Sequence, residues 1–179
     1  MILGALGGKP DMDLEALYTT YCGNDSDISL HLPALRKLAE ACQHVTEFGV
    51  RSGCSTIALL VGCKAVHSYD IIDCRAVVEC PYWQFIQASS LAVEIEPTDL
   101  LFVDSAHTYS QLSQELKLHA GHVRKWIALH DTETYGHNGD DGSAPGLLAA
   151  VAEFLEQNPE WKQLSHEPAC NGFTVLERC

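Results

Sequence analysis

Two short segments carry the residue types that do chemistry. One reads Val103-Asp104-Ser105-Ala106-His107-Thr108-Tyr109 and the other Leu129-His130-Asp131-Thr132. Each begins at the end of an apolar run, 100–103 and 126–129, of the length and β-rich composition expected for a buried strand. A strand of this kind delivers the residue after its last apolar position to the carboxyl edge of a sheet, where open α/β folds bind ligands. Asp104, His107, His130 and Asp131 would therefore meet in one crevice. Singly, His130 reads as a satisfied core histidine and Asp131 as a turn cap. Four such groups at the ends of neighbouring strands read as a site. Carboxylates beside imidazoles suit proton transfer, because an imidazole titrates near neutral pH and a nearby carboxylate tunes it.

A third segment supplies a different function. Val45-Thr46-Glu47-Phe48-Gly49-Val50-Arg51-Ser52-Gly53-Cys54-Ser55-Thr56 reads as a short strand, a glycine turn and the start of a helix. The arrangement presents backbone N–H groups to a ligand at a strand's carboxyl end. Gly49 would let a ligand approach the backbone, and Gly53 would permit close packing of the turn. Arg51 stands where the dinucleotide fingerprint Gly-x-Gly-x-x-Gly has its second glycine, so a nicotinamide cofactor ranks last. Asp70 closes the next apolar strand, roughly twenty residues on, where an acidic group can accept hydrogen bonds from ribose hydroxyls. Asp73 is its nearest competitor.

The elements that must position these residues follow from periodicity. Helices are expected at 12–21 (Asp11 as N-cap, Gly23 as stop), 33–42, 55–61, 110–122 and 145–157. Strands are expected at 45–48, 65–71, 83–88, 100–104, 126–130, 161–166 and 173–177. The segment 73–81 is short for a crossover helix and reads as a loop or a single turn. Segment 136–143, glycine-rich and acidic, reads as a mobile loop able to close over a substrate. Strands alternating with helices predict a parallel sheet with right-handed crossovers. The final strand–turn–strand adds one antiparallel strand. The expected fold is thus α/β, a Rossmann-like doubly wound sheet of seven strands in a single domain over 1–179, with N-terminal helices in 1–44 and the core in 45–179.

Composition bounds the partners. The chain has 179 residues, 46% hydrophobic and 20% charged, with a formal net charge of −13. No basic patch exists to release counterions from a nucleic acid or an anionic membrane, so neither is an expected partner. No apolar run is long enough to span a bilayer, and Met1–Gly8 lacks the basic start of a signal peptide. The eight cysteines form no Cys-x-x-Cys pair, which predicts reduced thiols and a cytoplasmic protein. A domain this small could complete its pocket with a neighbour's surface, so a homo-oligomer is an option left open.

The glycine turn resembles the first motif of class I S-adenosylmethionine-dependent methyltransferases. With Val-Asp-Ser-Ala-His-Thr-Tyr at 103–109 and Leu-His-Asp-Thr at 129–132, the chain resembles the subgroup containing small-molecule and sugar O-methyltransferases and cephalosporin-hydroxylase-like proteins. The resemblance spans roughly 28–177. It implies S-adenosyl-L-methionine as cofactor. Glu47, Gly49, Gly53 and Thr56 would line its methionine half, with Arg51 in the same turn. Backbone groups at 49–53 would hold its amino-acid end, Asp70 its ribose, and Ser89 would stand where relatives place an acidic residue against adenine. It also implies a divalent metal on Asp104, His130 and Asp131. Oxygen ligands favour magnesium, and the imidazole moves the preference toward manganese, iron or zinc. His107 and Asp104 are the implied catalytic pair, with His107 or His130 as general base. The implied reaction is methyl transfer to a small hydroxylated metabolite or sugar. The competing reading is an accessory cofactor-binding protein, favoured by Arg51 and the absent adenine carboxylate and opposed by the Asp/His cluster.

Overall fold

A computed structural model of the chain describes residues 12–179. In chain order the elements are α1 (Leu14–Cys22), α2 (Leu32–Glu40), β1 (Val45–Phe48), α3 (Cys54–Gly62), β2 (Val66–Asp70), β3 (Trp83–Gln87), β4 (Thr98–Val103), α4 (Tyr109–His119), β5 (Val123–His130), α5 (Leu147–Gln157), β6 (Trp161–Glu167) and β7 (Phe173–Arg178). The strands form one sheet in the order β3-β2-β1-β4-β5-β7-β6. All pairings are parallel except those of β7, which lies antiparallel between β5 and β6. The expected seven-stranded sheet with one antiparallel strand is what forms.

Alternation along each strand sorts the core into two layers. In β4, Leu100 and Phe102 face one side of the sheet, and Leu101 and Val103 the other. The first side is covered by α2 and α3 through Leu32, Leu35, Ile57 and Leu60, with α1 packed outside. The second is covered by α4 and α5 through Leu112, Leu116, Val151 and Phe154. Phe48 and Phe102 are fully buried, one in each layer, and burial of such a ring is worth about 1.5–3 kcal/mol. The sheet starts at β1 and grows outward in one direction through β2 and β3. It then crosses back to β4 on the other flank of β1. The carboxyl ends of β1 and β4 therefore border the switch-point crevice.

Several boundaries move from their expected places. β4 begins at Thr98 and β5 at Val123, both earlier than apolar runs indicate. Arg124 and Lys125 interrupt the run in β5, yet both reach the buried Asp99 carboxylate, at 3.9 and 3.8 Å. The expected cap Asp11 and the segment Met1–Gly8 lie outside the described residues. The cap of α1 is Asp13, whose side chain accepts from the Ala16 N–H at 3.0 Å. No helix forms between β2 and β3. Val77 and Val78 instead fold that connection against α3, so close that a Cβ on Gly53 would lie 2.1 Å from Val77 Cγ1. All eight cysteines are free thiols. Among the described residues no helix is long and apolar enough to cross a membrane.

Candidate active site

The turn after β1 is built by departures into left-handed backbone at alternate residues: Gly49 at φ 88°, Arg51 at 49° and Gly53 at 81°. Gly49 is required by its neighbour. A Cβ there would lie 2.0 Å from the Asp104 carbonyl oxygen, because the ends of β1 and β4 are drawn together by the Asp104 N–H donating to the Phe48 carbonyl at 2.8 Å. Arg51 holds its strained conformation with an exposed guanidinium 3.1 Å from Asp27. Asp70 anchors the turn from below. Its carboxylate accepts from the N–H groups of Val50 at 2.8 Å, Arg51 at 3.1 Å and Ile72 at 3.0 Å. Burial alone would raise its pKa, but these donors hold it below the ordinary aspartate value.

The turn opens onto a cleft of about 550 Å³ bordered by Gly49, Arg51, Asp70, Ile71, Ile72, Ser89 and Asp104. Ile71 and Ile72 are 73% and 55% exposed, an apolar rim with no partner in the core. Gly49, Arg51, Asp70 and Ser89 therefore share one surface, as the sequence indicates. Glu47 and Thr56 do not reach it. Both are fully buried, because alternation in β1 turns Glu47 toward α3. There its carboxylate accepts from Ser55 at 2.6 Å, Thr56 at 2.8 Å and Ser68 at 2.5 Å. Burial raises its pKa to about 7 despite those three donors. Glu47 and Thr56 brace strand to helix and do not border the cleft. The amide groups at 49–53 are also largely committed. Gly49 N–H donates to Tyr69, Gly53 N–H to Val50, and those of Val50 and Arg51 to Asp70. The expected backbone clamp for an amino-acid end is thus mostly occupied within the turn. Gly53, seated against Val77, serves packing.

At the β1–β4–β5 edge the four acid–base residues do converge. His107 Nε2 lies 2.9 Å from Asp131 Oδ2 and 3.2 Å from Asp104 Oδ1. His130 Nδ1 lies 3.4 Å from each of those same oxygens. Burial lowers the affinity of both rings for a proton, but the paired carboxylates override it and raise His107 to about 9 and His130 to about 10. Asp104 and Asp131 are held below the ordinary range, burial being outweighed by hydrogen bonds from the two histidines. Asp131 adopts a left-handed φ of 60°, unusual for a side chain with a Cβ and a sign of local strain at the end of β5.

Exposure separates the four. The side chains of His130 and Asp131 are 1% and 7% exposed, and those of Asp104 and His107 are 26% and 21%. Only the latter two are open to an incoming molecule. His130 Nε2 faces the carbonyls of Asp27 and Cys170 at 3.1 and 3.2 Å, so it carries a proton. His31 is buried behind it, with its ring 5.6 Å away and stacked on Phe173. Tyr135 stacks on His107 at 4.9 Å with an interplanar angle of 7°, and no sequence signal announces it. The loop 136–143 is tied down at this point, Asp140 N–H donating to the His107 carbonyl at 3.1 Å and Gly139 N–H to Ser143 at 2.8 Å. Asp140 Oδ2 also lies 3.8 Å from His107 Nδ1, so the loop packs beside the cluster.

The donor chemistry fits a cation. Asp131 Oδ1 is buried with no hydrogen-bond partner, and His130 Nδ1 meets the two carboxylates only at 3.4 Å, a gap that a proton or a metal ion would fill. Asp104, His107 and Asp131 each offer a donor atom, and the three lie within 4.8 Å of one another. The β4–α4 turn brings the His107 ring onto both carboxylates, and His130 Nδ1 lies 3.4 Å from the same two oxygens. A groove of about 530 Å³ between α4 and α5 contains none of these residues.

No protein-family model and no curated protein matches the chain. Solved structures do match over nearly its whole length. Cofactor-bound Rv0187 from MTB superposes with a TM-score of 0.70 at 17% identity, covering 97% of this chain and 92% of that one. The O-methyltransferase from Bacillus cereus in complex with SAH gives 0.62 at 19%, covering 98% and 94%. The MycE methyltransferase of the mycinamycin biosynthetic pathway, in complex with Mg and SAH, gives 0.66 at 18%, covering 96% of this chain and 55% of MycE. The chain has the fold of the S-adenosylmethionine-dependent methyltransferases.

Proposed function

We propose that this protein is an S-adenosylmethionine-dependent methyltransferase that methylates a hydroxyl of a small molecule. One observation carries the reading: Asp104 borders two adjoining cavities. The larger, about 550 Å³, runs from the glycine turn past Asp70 to Ser89 and suits the cofactor. The smaller, about 210 Å³, is lined by Ser26, Asp27, Ile28 and Ser55 and suits an acceptor. Arg51 also borders both. Methyl transfer is an in-line displacement, so the protein must mainly orient the acceptor oxygen toward the sulfonium methyl and receive its proton. Asp104, at the boundary and half-buried, is placed to contact that hydroxyl, and His107 at 3.2 Å orients the carboxylate. Asp131 and His130 hold the pair from behind.

Support for metal assistance comes from the orphaned buried atoms and from the mixed oxygen–nitrogen donor set. Asp104, Asp131 and His107 would hold the ion, with His130 adjacent. Magnesium or manganese bound there would supply Lewis acidity toward an acceptor hydroxyl. The net charge of −13 weighs against nucleic-acid acceptors and supports a small-molecule one. The test is a screen of hydroxylated acceptors for methyl incorporation, with and without divalent metal. Turnover that Asp104→Asn abolishes supports the reading. Full turnover in that variant places the chemistry elsewhere, and cofactor binding with no turnover on any acceptor favours an accessory role.

A further inference from the structure

A second convergence of ligating side chains lies at the opposite end of the sheet. His44 immediately precedes β1, His67 is the second residue of β2, and Glu96 lies in the connection leading into β4. Each offers one donor atom, and the three lie within 4.8 Å of one another. The two rings meet edge to face with centroids 4.4 Å apart. His67 Nδ1 is 3.9 Å from Glu96 Oε2. Parallel pairing of β1 with β2 fixes the backbone beneath both histidines, with Val45 opposite Val66 and Thr46 opposite His67.

The tautomer of His44 follows from its surroundings. Its Nδ1 is 3.0 Å from the Pro97 carbonyl oxygen, which can only accept, so Nδ1 carries the proton. Its Nε2 keeps a lone pair, and that atom is buried with no hydrogen-bond partner. An imidazole that donates one N–H to a backbone carbonyl and keeps the other nitrogen free is oriented as metal-ligating histidines are.

We propose that His44, His67 and Glu96 form a binding site for a divalent transition metal of the zinc class, separate from the cleft. Two imidazole nitrogens and one carboxylate oxygen leave one position for water, the three-ligand pattern that zinc accepts in tetrahedral geometry. Magnesium and calcium, which take oxygen ligands, are disfavoured by the two nitrogens. Tetrahedral bonds of about 2.0–2.1 Å set donors roughly 3.4 Å apart, so the 3.9 Å between His67 and Glu96 must close slightly. The Glu96 side chain is 72% exposed and free to make that movement. A bound ion would clip the start of β1 to β2 and to the approach of β4, stabilising the sheet from the end remote from the chemistry.

The experiment is a calorimetric titration of reduced, metal-free protein with Zn2+, together with Co2+ absorption spectra and thermal unfolding. It is done in an Asp104→Asn/His107→Gln background, which disables the competing cluster in the cleft. The site predicts one equivalent bound, a rise in melting temperature with added Zn2+, and tetrahedral Co2+ bands. His67→Gln in that background should weaken binding roughly tenfold or more, and so should the exposed Glu96→Gln, which has little scope to disturb folding. Absence of Zn2+ binding in the cleft-disabled protein overturns the proposal. So does binding that both substitutions leave unchanged, which would assign the ion to cysteine thiols.

Discussion

Replacing Glu47 with glutamine should change how stability depends on pH while leaving cofactor affinity nearly intact. The Glu47 carboxyl is fully buried, and its pKa rises from an ordinary value near 4.5 to about 7. A carboxyl whose folded pKa is raised binds its proton more tightly in the native state. The stability it contributes is complete below about pH 4.5, declines as pH rises, and is lost above about pH 7. The displacement corresponds to about 3 kcal/mol. Three hydroxyls, of Ser55, Thr56 and Ser68, donate to this group, so an amide replacement keeps most partners if one hydroxyl turns to accept. Urea unfolding of wild type and Glu47→Gln at several pH values isolates the effect, because every other titrating group is common to both proteins. The wild type should lose about 3 kcal/mol relative to the variant between about pH 4.5 and pH 8. A constant difference across that range would refute the reasoning and put Glu47 in contact with water. A loss of cofactor affinity well beyond tenfold in a folded Glu47→Gln protein would also refute it, since the buried carboxyl has no surface on the cleft.

Further outcomes follow from the same geometry. Gly49→Ala meets both a positive φ and the Asp104 carbonyl at 2.0 Å, so denaturation should show a loss of about 3 kcal/mol or more. Arg51→Gly should change stability by less than about 1 kcal/mol, since relief of left-handed strain, about 1–2 kcal/mol, offsets glycine's added chain entropy and an exposed ion pair. A large loss there would mean the guanidinium does more than pair with Asp27. Asp104→Asn should lower turnover about a hundredfold or more on any acceptor found, with S-adenosylhomocysteine affinity changed by less than about threefold in calorimetry.

Much of this architecture is legible in the residues themselves. Short apolar runs located β1, β2, β4 and β5, and the β1 span 45–48 coincides with the structure. The Asp104–His107–His130–Asp131 convergence could be read because all four residues follow strands that end at one edge. What escaped depends on register and on competition for hydrogen bonds. Glu47 sits beside the glycine turn in sequence, but strand alternation turns it onto α3, a reading available from its spacing to Val45 and from the hydroxyls at Ser55 and Thr56. That Asp70 consumes the Val50 and Arg51 amides depends on a turn geometry no spacing rule specifies. His44, His67 and Glu96 come from three separate segments, and only the pairing of β1 with β2 and the path into β4 joins them.

The central claim, that the cleft beside Asp70 binds S-adenosylmethionine, is tested most directly by calorimetric titration with S-adenosylhomocysteine. Micromolar binding to the wild type is expected, with at least about tenfold weaker binding to a folded Asp70→Asn variant, which loses an ionised acceptor at the cleft. Absence of binding to well-folded wild type, or equal affinity in both proteins, would contradict it.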